Sequence, residues 1–237
     1  MTGVLPIALS RACKLTGFFL GHDKEYVGIM HIHKEKPMSE IQEIINKKFL
    51  GKIKQTPPKK SRVKRVERER EIISFDLLEQ NGKDILFRTK VQGGTYIRKL
   101  IDDLGSFLTV QVEGKLQQVG AHMLELRRVQ AGIFNESSSI SLYDFDKAID
   151  EYKKGNDTKL REILVDARDA IKEIFEFVEC KKHAEKKLLS GKPVFSEDLE
   201  KQPEEDIFAI FSEKRFIGIY KKTKEDEIIA RAEFVFN

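Results

Sequence analysis

The chain has 237 residues, of which 40% are hydrophobic and 35% charged, with no tryptophan. This is the composition of a folded protein rather than of a disordered segment. No apolar run approaches the roughly 20 residues that a membrane-spanning helix requires, and the start of the chain makes a poor signal peptide. Cys13 and Cys180 fit a reducing compartment better than a disulfide framework or a metal site. We therefore expect a cytoplasmic protein with no membrane partner.

The net charge is only +4, but it is unevenly distributed. The segment from Lys52 to Arg70 contains nine basic and two acidic residues, whereas the segment from Val194 to the end contains eleven acidic and seven basic residues. A basic stripe on a nearly neutral chain indicates a polyanionic partner such as a nucleic acid. A solvated charged loop is the alternative explanation.

The predicted elements begin with a helix over residues 6–20, followed by an alternating, β-rich strand over 24–33. A second helix is predicted over 39–49, with Ser39 as its cap. Pro57 and Pro58 then start a stiff, extended stretch that carries much of the basic stripe.

Two strand patterns, 71–78 and 84–91, flank Asn81-Gly82, which is a strong signal for a hairpin. A helix is predicted over 96–108, with Thr95 able to cap it. Residues 110–118 are polar and lack a clear period, whereas 122–129 alternate again as a strand does.

Helical patterns fill residues 142–174, and the composition changes near Phe175. A helix and several short strands follow, which is the pattern of a small β-barrel. We therefore predict two domains, 1–173 and 174–237.

Several side chains are candidates for a functional site. His31 and His33 lie on one face of their predicted strand, but no third metal ligand is near in the sequence, so we interpret them as surface histidines. Arg98 falls in the first turn of its helix, where the helix dipole disfavours a cation. It therefore indicates an anionic partner, or else faces solvent. Tyr26 can stack on an unpaired base or be a core aromatic residue.

Five segments in order resemble the TruB/dyskerin RNA pseudouridine synthases, in their archaeal and eukaryotic H/ACA-guided form. They are TGVLPIALSRA (2–12), KEYVGIMHIH (24–33), TPPKKSRVKR (56–65), GGTYIRKLIDDLG (93–105) and GAHMLELRRVQAG (120–132). The C-terminal stretch resembles the PUA barrel of these enzymes. The resemblance implies an α+β fold with a mixed, mainly antiparallel sheet flanked by helices, followed by a small β-barrel domain.

The resemblance also implies a reaction, the isomerisation of uridine to pseudouridine in rRNA or tRNA without a cofactor or a metal. The target base would be flipped out of its stack. Arg98 would pair with a nucleophilic aspartate, Tyr26 would stack on the base, and Leu126 and Tyr96 would line or border the pocket. A guide RNA and small H/ACA accessory proteins are the implied partners, and a eukaryotic relative would be nucleolar.

RNA phosphates would be held by basic residues of the third and fifth segments. These residues are Lys59, Lys60, Arg62, Lys64, Arg65, Arg127 and Arg128. Such contacts position RNA and carry little information about its sequence.

The chain departs from the family pattern in three places. The family's GTLDP motif, which carries the nucleophilic aspartate, precedes TGVLP, and these 237 residues do not contain it. Residues 109–118 are extra, and the C-terminal region is acidic. Asp102 could give Arg98 a local ion pair, but no carboxylate here can be assigned as the nucleophile.

We therefore expect the isolated chain to be inactive and to expose apolar surface and an unpaired strand edge. The aspartate would come from a longer gene product or from a separate N-terminal fragment. The alternative is an inactive RNA-binding or ribonucleoprotein module derived from the same family.

Overall fold

The computed structural model describes residues 2–58, 62–225 and 227–237. The chain forms two compact units, Met1–Ser139 and Ile140–Asn237. The domain boundary at 173/174 stays a prediction, because contacts within one chain do not show which segments fold independently.

The first unit combines helices with a long sheet. In chain order its elements are β1 (Thr2–Gly3), a 3-10 helix (Ser10–Leu15), α1 (Thr16–Leu20), β2 (Lys24–Ile32), α2 (Met38–Lys48), β3 (Gly51–Gln55), β4 (Arg68–Asn81), β5 (Asp84–Val91), α3 (Ile97–Phe107), β6 (Thr109–Val112), β7 (Lys115–Gln118), β8 (Ala121–Ala131), β9 (Phe134–Asn135) and a 3-10 turn (Glu136–Ser138).

Within the described residues, the main sheet has the strand order β1-β8-β2-β5-β4-β3, and β9 also pairs with β8. The β1–β8 pairing is parallel, and all other pairings of this sheet are antiparallel. The predicted mixed, mainly antiparallel sheet is therefore confirmed. Strands β4 and β5 join through the Asn81-Gly82 region as a hairpin, as the sequence predicted.

One face of this sheet packs against α2 and α3 to form the core. Buried positions alternate along β2 and β5, which is the period of a strand with one face covered. The apolar stripe of α3, which includes Leu100, Ile101 and Leu104, is fully buried. At Gly105 the helix comes so close to β8 that a β-carbon would lie 2.1 Å from the backbone nitrogen of Ala121.

The second unit contains short helices and a curled sheet. Its elements are α4 (Leu142–Lys153), α5 (Thr158–Ile163), α6 (Ala167–Lys172), β10 (Phe177–Glu179), α7 (Glu185–Leu189), β11 (Val194–Phe195), a 3-10 turn (Ser196–Asp198), β12 (Ile207–Ser212), β13 (Arg215–Lys222) and β14 (Ile228–Val235).

In the described part of this unit, five strands form a half-barrel in the order β10-β12-β13-β14-β11. Its core contains Phe208, Ile210 and Tyr220. The Tyr220 hydroxyl donates to the Leu188 carbonyl over 2.8 Å, so the sheet also holds α7.

The predicted helix over residues 6–20 is wrong in its first four residues, because helical structure begins only at Ser10. Ser10 has a φ of 52°, a left-handed value that stops a right-handed helix from extending back through it. Leu5, Ile7 and Leu9 are 69%, 67% and 48% exposed. These side chains are the apolar surface that we expected to be exposed. In the described part of the chain, β1 lies at the edge of the sheet with one side unpaired, which is the expected open strand edge.

Two predicted helix caps are also wrong. Ser39 lies inside α2, whose N-cap is Pro37, and the N-cap of α3 is Tyr96. The Thr95 hydroxyl donates instead to the Gln92 carbonyl over 2.7 Å. A hydroxyl caps a helix only where its oxygen faces free backbone N–H groups, and a sequence alone does not fix that direction.

The extra segment that lacked a period forms the β6–β7 hairpin. It turns at Glu113 and Gly114, which have φ values of 50° and 75°. Two successive positive φ values are those of a tight hairpin turn, in which glycine is favoured.

Substituting Gly105 by alanine tests how closely α3 packs on β8. Gly105→Ala should destabilise the protein by about 1–3 kcal/mol, because the added methyl group meets backbone rather than a movable side chain. Gly17→Ala in α1 is the matched control, since nothing lies within 4 Å of its new β-carbon. Urea unfolding of both variants gives the measurement, and equal stabilities would contradict the close packing.

Candidate functional site

Tyr26 and Leu126 lie together on the covered face of the sheet. In the antiparallel pairing of β2 with β8, Tyr26 is opposite Arg128, and Gly28 is opposite Leu126. Tyr26 and Leu126 are 7% and 8% exposed and belong to one hydrophobic cluster. The sheet register therefore brings together two side chains that are 100 positions apart in the sequence.

Two cations lie beside Tyr26 on this face. Arg128 is directly opposite, and Lys24 is two residues earlier on the same strand, so its side chain points the same way. The Lys24 ammonium donates to the carbonyls of Leu20 and His22 over 3.0 and 2.9 Å. Burial lowers the pKa of Lys24, and the positive charge of Arg128 lowers it further, against an opposing effect of Asp23.

Lys24 was not predicted as a site residue, although the strand alternation placed it on the Tyr26 face. Electrostatically, its position beside Arg128 makes one end of the Tyr26 face positive. Such a place favours an anion, either a carboxylate or a phosphate.

Strand β1 is held against the end of β8 that carries Arg128. The Val4 N–H donates to the Arg128 carbonyl over 2.8 Å, and the Arg128 Nε donates to the Val4 carbonyl over 2.7 Å. At Gly3, with a φ of 92°, a β-carbon would lie 2.1 Å from the Arg128 carbonyl oxygen. Arg128, predicted to bind RNA, therefore also fixes the TGV segment in place.

The start of α3 is fixed by Gln55, the last residue of β3. Gln55 is only 3% exposed, and its side-chain amide pairs with the backbone of Tyr96. The Gln55 Oε1 accepts from the Tyr96 N–H over 3.0 Å, and its Nε2 donates to the Tyr96 carbonyl over 3.3 Å. A single glutamine at a strand end carries no sequence signal for this role, so it was missed.

Arg98 lies exposed in the first turn of α3. The local ion pair expected with Asp102 is wrong. Lys99 contacts Asp103 instead, and its ammonium lies 3.6 Å from Asp102. Within residues 2–58, 62–225 and 227–237, no carboxylate lies within ion-pair distance of Arg98, which leaves its guanidinium available to an anion.

The basic stripe from Lys52 to Arg70 is only partly neutralised. Lys52 and Lys54 of β3 pair with Glu69 of β4 and with Glu67 just before it, over 3.0 and 3.5 Å. The exposed predicted RNA contacts in this segment are Arg62, Lys64 and Arg65. Lys59 and Lys60 lie outside the described residues.

Arg127 lies on the sheet face opposite to Tyr26, because it alternates with Leu126 and Arg128 along β8. Its guanidinium pairs with the Glu136 carboxylate, which raises the pKa of Arg127. The sheet therefore does not bring Arg127 to the Tyr26 face, and its contact with RNA stays a prediction.

Comparison with known proteins identifies the family. Models of the TruB family pseudouridylate synthase N-terminal domain and of the tRNA pseudouridylate synthase B C-terminal domain match residues 1–97 and 98–172. The protein in a crystal structure of a Cbf5–Nop10–Gar1 complex is 31% identical, with a TM-score of 0.83 over 99% of this chain and 73% of that one. The chain belongs to the TruB/dyskerin family of pseudouridine synthases.

Other members of the TruB/dyskerin family are similar in sequence and in structure. Probable tRNA pseudouridine synthases B from Nanoarchaeum equitans and Methanopyrus kandleri are 41% and 42% identical over 73% and 69% of this chain. The matches cover 47% and 46% of those proteins, so the chain spans about half the length of the curated relatives it matches. An H/ACA ribonucleoprotein bound to a substrate RNA contains a chain that is 28% identical, with a TM-score of 0.81 over 99% of this chain and 72% of that one.

The described residues contain no helix long and apolar enough to cross a membrane.

The amide pair of Gln55 with Tyr96 can be tested by hydrogen exchange. Gln55→Leu should remove the protection of the Tyr96 amide and cost about 1–3 kcal/mol, because the Tyr96 N–H loses its partner while its carbonyl keeps only the bond from the Leu100 N–H. Gln42→Leu is the matched control, since Gln42 makes a similar pair with the Phe75 carbonyl and the Leu77 N–H. It should expose the Leu77 amide and leave Tyr96 protected. Unchanged exchange at Tyr96 in Gln55→Leu would refute the anchoring role.

Proposed function

We propose that this chain is the larger part of an RNA pseudouridine synthase that an H/ACA guide RNA directs to its target uridine. The observation that carries the proposal is the shared burial of Tyr26 and Leu126 on one sheet face. Ile97, at the start of α3, packs in the same cluster, and the next residue, Arg98, is an unpaired cation among the described residues. A pocket opened between the Tyr26 face and the start of α3 would suit a flipped base and a reacting anion.

The reaction exchanges one bond of the uracil ring for another. The bond from the ribose carbon to the ring nitrogen breaks, and a bond to a ring carbon forms; that carbon loses a proton and the nitrogen gains one. No atom is added or lost and no electrons are exchanged, so the proposed reaction consumes no co-substrate. Tyr26 stacks on the base, Leu126 lines the pocket and Tyr96 borders it, while Arg98 holds the carboxylate that acts as nucleophile or base.

That carboxylate belongs to a GTLDP motif outside these 237 residues, on the same gene product or on a separate fragment. The direction of β1 supports this part of the proposal. Because β1 runs parallel to β8 with Thr2 opposite Arg127, a segment preceding Thr2 would run along β8 towards Leu126. An aspartate a few residues earlier in the chain would then approach the base pocket.

RNA is held mainly by the segment between β3 and β4. The exposed cations Arg62, Lys64 and Arg65 supply phosphate contacts. Lys59, Lys60 and Arg127 are proposed as further phosphate contacts, and Lys24 and Arg128 give the Tyr26 face its positive end. The guide RNA and small accessory proteins are proposed because the similar proteins occur in complexes with Nop10, with Gar1 and with substrate RNA.

Residues 174–237 are proposed to form a PUA-like domain. The curled sheet of β10 to β14 and the structural similarity over 99% of the chain support this assignment. Its excess of acidic residues argues that it contributes less to RNA affinity than the basic segment does.

A second candidate function is an RNA-binding module without catalysis. The observation that favours it is that Arg98 has no carboxylate partner among the described residues, while Arg62, Lys64 and Arg65 are exposed. Such a module binds RNA and forms no pseudouridine, even when an aspartate-bearing segment is supplied.

Reconstitution separates the two candidates. The chain is combined with a peptide or fusion that carries a GTLDP motif, the guide RNA and the accessory proteins, and pseudouridine is quantified by nuclease digestion and mass spectrometry. We expect product with the aspartate and none when it is replaced by asparagine. RNA binding without product in the completed assembly would leave only the second candidate.

Arg98→Ala should lower the single-turnover rate of that assembly by about 10²–10³-fold, because the reacting carboxylate loses the guanidinium that holds it in place. Lys99→Ala is the matched control, since Lys99 is one position away and pairs with Asp103. Its rate should stay within about twofold of the parent. A rate for Arg98→Ala equal to that of Lys99→Ala would contradict the assigned role.

A triple substitution of Arg62, Lys64 and Arg65 by glutamine should weaken RNA binding at every sequence tested. The slope of log affinity against log salt should fall by about 2–3, because fewer counterions are released. Glutamine at the exposed residues Lys153, Lys154 and Lys159 makes the same change in net charge and serves as the control. Equal slopes in the two variants would mean that RNA affinity depends on the net charge of the chain and not on phosphate contacts at Arg62, Lys64 and Arg65.

A further inference from the structure

The guanidinium of Arg70 lies beside the turn before α3, with part of its donor capacity unused. Arg70 is two residues before the buried Ile72 on β4 and opposite Ile53 of β3, so its side chain points to the inner face of the sheet, the face that carries Tyr26. Its Nη1 donates to the Glu69 carbonyl over 2.8 Å. Its Nε is buried and has no hydrogen-bond partner among the described residues.

A buried donor without a partner costs free energy, and the cost is larger when the donor carries charge. Arg70 has no carboxylate within ion-pair distance in residues 2–58, 62–225 and 227–237, because the carboxylate of the adjacent Glu69 pairs with Lys52 over 3.0 Å. Nε and Nη2 together form one edge of the guanidinium, and such an edge donates two parallel hydrogen bonds to a phosphate or a carboxylate. The Nε–Nη2 edge of Arg70 therefore suits an anion that the described residues do not supply.

Gly94 keeps this edge free of protein side chains. A β-carbon at Gly94 would lie 3.2 Å from Nη2 and 3.3 Å from Nε of Arg70, and the φ of 86° also favours glycine. The turn that contains Gly94 is tied to β4 by Gln92. The Gln92 N–H donates to the Glu71 carbonyl over 2.9 Å, and the Gln92 Oε1 accepts from the Glu71 N–H over 3.3 Å. The space beside the edge is thus a fixed feature of the inner face.

Charge and position favour a phosphate of RNA as the anion. Arg70 is the last cation of the basic stripe, whose exposed members Arg62, Lys64 and Arg65 come shortly before it in the chain. The space beside its edge lies two residues before Tyr96, the residue proposed to border the base pocket. Each backbone phosphate offers two unbridged oxygens, which match the two donors of a guanidinium edge.

We propose that Arg70 binds, through Nε and Nη2, a backbone phosphate of the RNA strand that carries the target uridine. A base leaves its stack by rotation of its nucleotide about the backbone, so a phosphate fixed at the start of α3 holds the flipped nucleotide in place. Arg70 is thus a positioning residue and takes no part in bond making. The inference rests on the proposed function, because it requires the target strand to reach the Tyr26 face.

Replacing single phosphates of the RNA tests the contact. Substrate RNAs carry one uncharged methylphosphonate among the phosphates around the target uridine, and each RNA is bound to the full chain with its guide RNA. At one position the parent chain should lose about tenfold in affinity, because a charge-assisted contact is removed. Arg70→Gln should bind the unmodified RNA about tenfold more weakly, and the same methylphosphonate should then cost less than about twofold, because both changes remove one contact.

Arg88→Gln is the matched control. Arg88 is exposed on β5 and alternates with the buried Phe87 and Thr89, so it points to the outer face of the sheet, opposite to Tyr26. This variant loses the same charge, yet the methylphosphonate should still cost it about tenfold. Arg70→Lys keeps the charge but not the two parallel donors, so it should behave as Arg70→Gln does. It replaces Arg70→Gln if urea unfolding shows that the glutamine variant is poorly folded.

The readout is binding, so it needs neither the nucleophile nor catalysis. The proposal is overturned if the parent chain binds the RNA and every methylphosphonate changes its affinity by the same factor as that of Arg70→Gln. The proposed function would survive that result, and Arg70 would have a role in the fold alone. Absence of guide-dependent RNA binding by the parent chain would contradict the proposed function and this inference together.

Discussion

The antiparallel pairing of β2 with β8 is the constraint on which the rest of the first unit depends. Its register sets Tyr26 opposite Arg128 and Leu126 opposite Gly28, and it contains two irregularities that adjust the alignment. A slip of one residue would move every side chain of a strand to the other face. The register therefore determines both which residues belong to the inner apolar cluster and which histidines lie together on the outer face.

Helix α3 completes the inner face because two contacts fix its position. Gly105 lets the helix backbone approach β8, and Gln55 holds the helix start through the Tyr96 backbone. Both contacts determine where Arg98 is presented. The segment that follows Gln55 is the basic one, so the cations proposed to hold RNA and the arginine proposed to act in catalysis share one rigid anchor.

The sequence predicted those elements whose residue pattern lies within one short stretch of the chain. The alternation in β2, the Asn81-Gly82 hairpin and the apolar stripe of α3 were all found as expected, and five ordered motifs indicated the family. Features that depend on distant pairing were missed. His122 is 89 positions from His33, and Gln55 is 41 from Tyr96, so no window of sequence shows either contact. The hairpin at 109–118 was missed because its strands are polar and short.

The most direct test of the central claim is to locate the target base on the protein. A substrate RNA with 4-thiouridine at the target position is bound to the chain with its guide RNA and irradiated, and the cross-linked residue is assigned by peptide fragmentation. The account predicts a cross-link to Tyr26 or Leu126 on the inner face, lost when an unmatched guide is used. Guide-dependent cross-linking only to the outer face of β2 and β8, or only to the second unit, would contradict it.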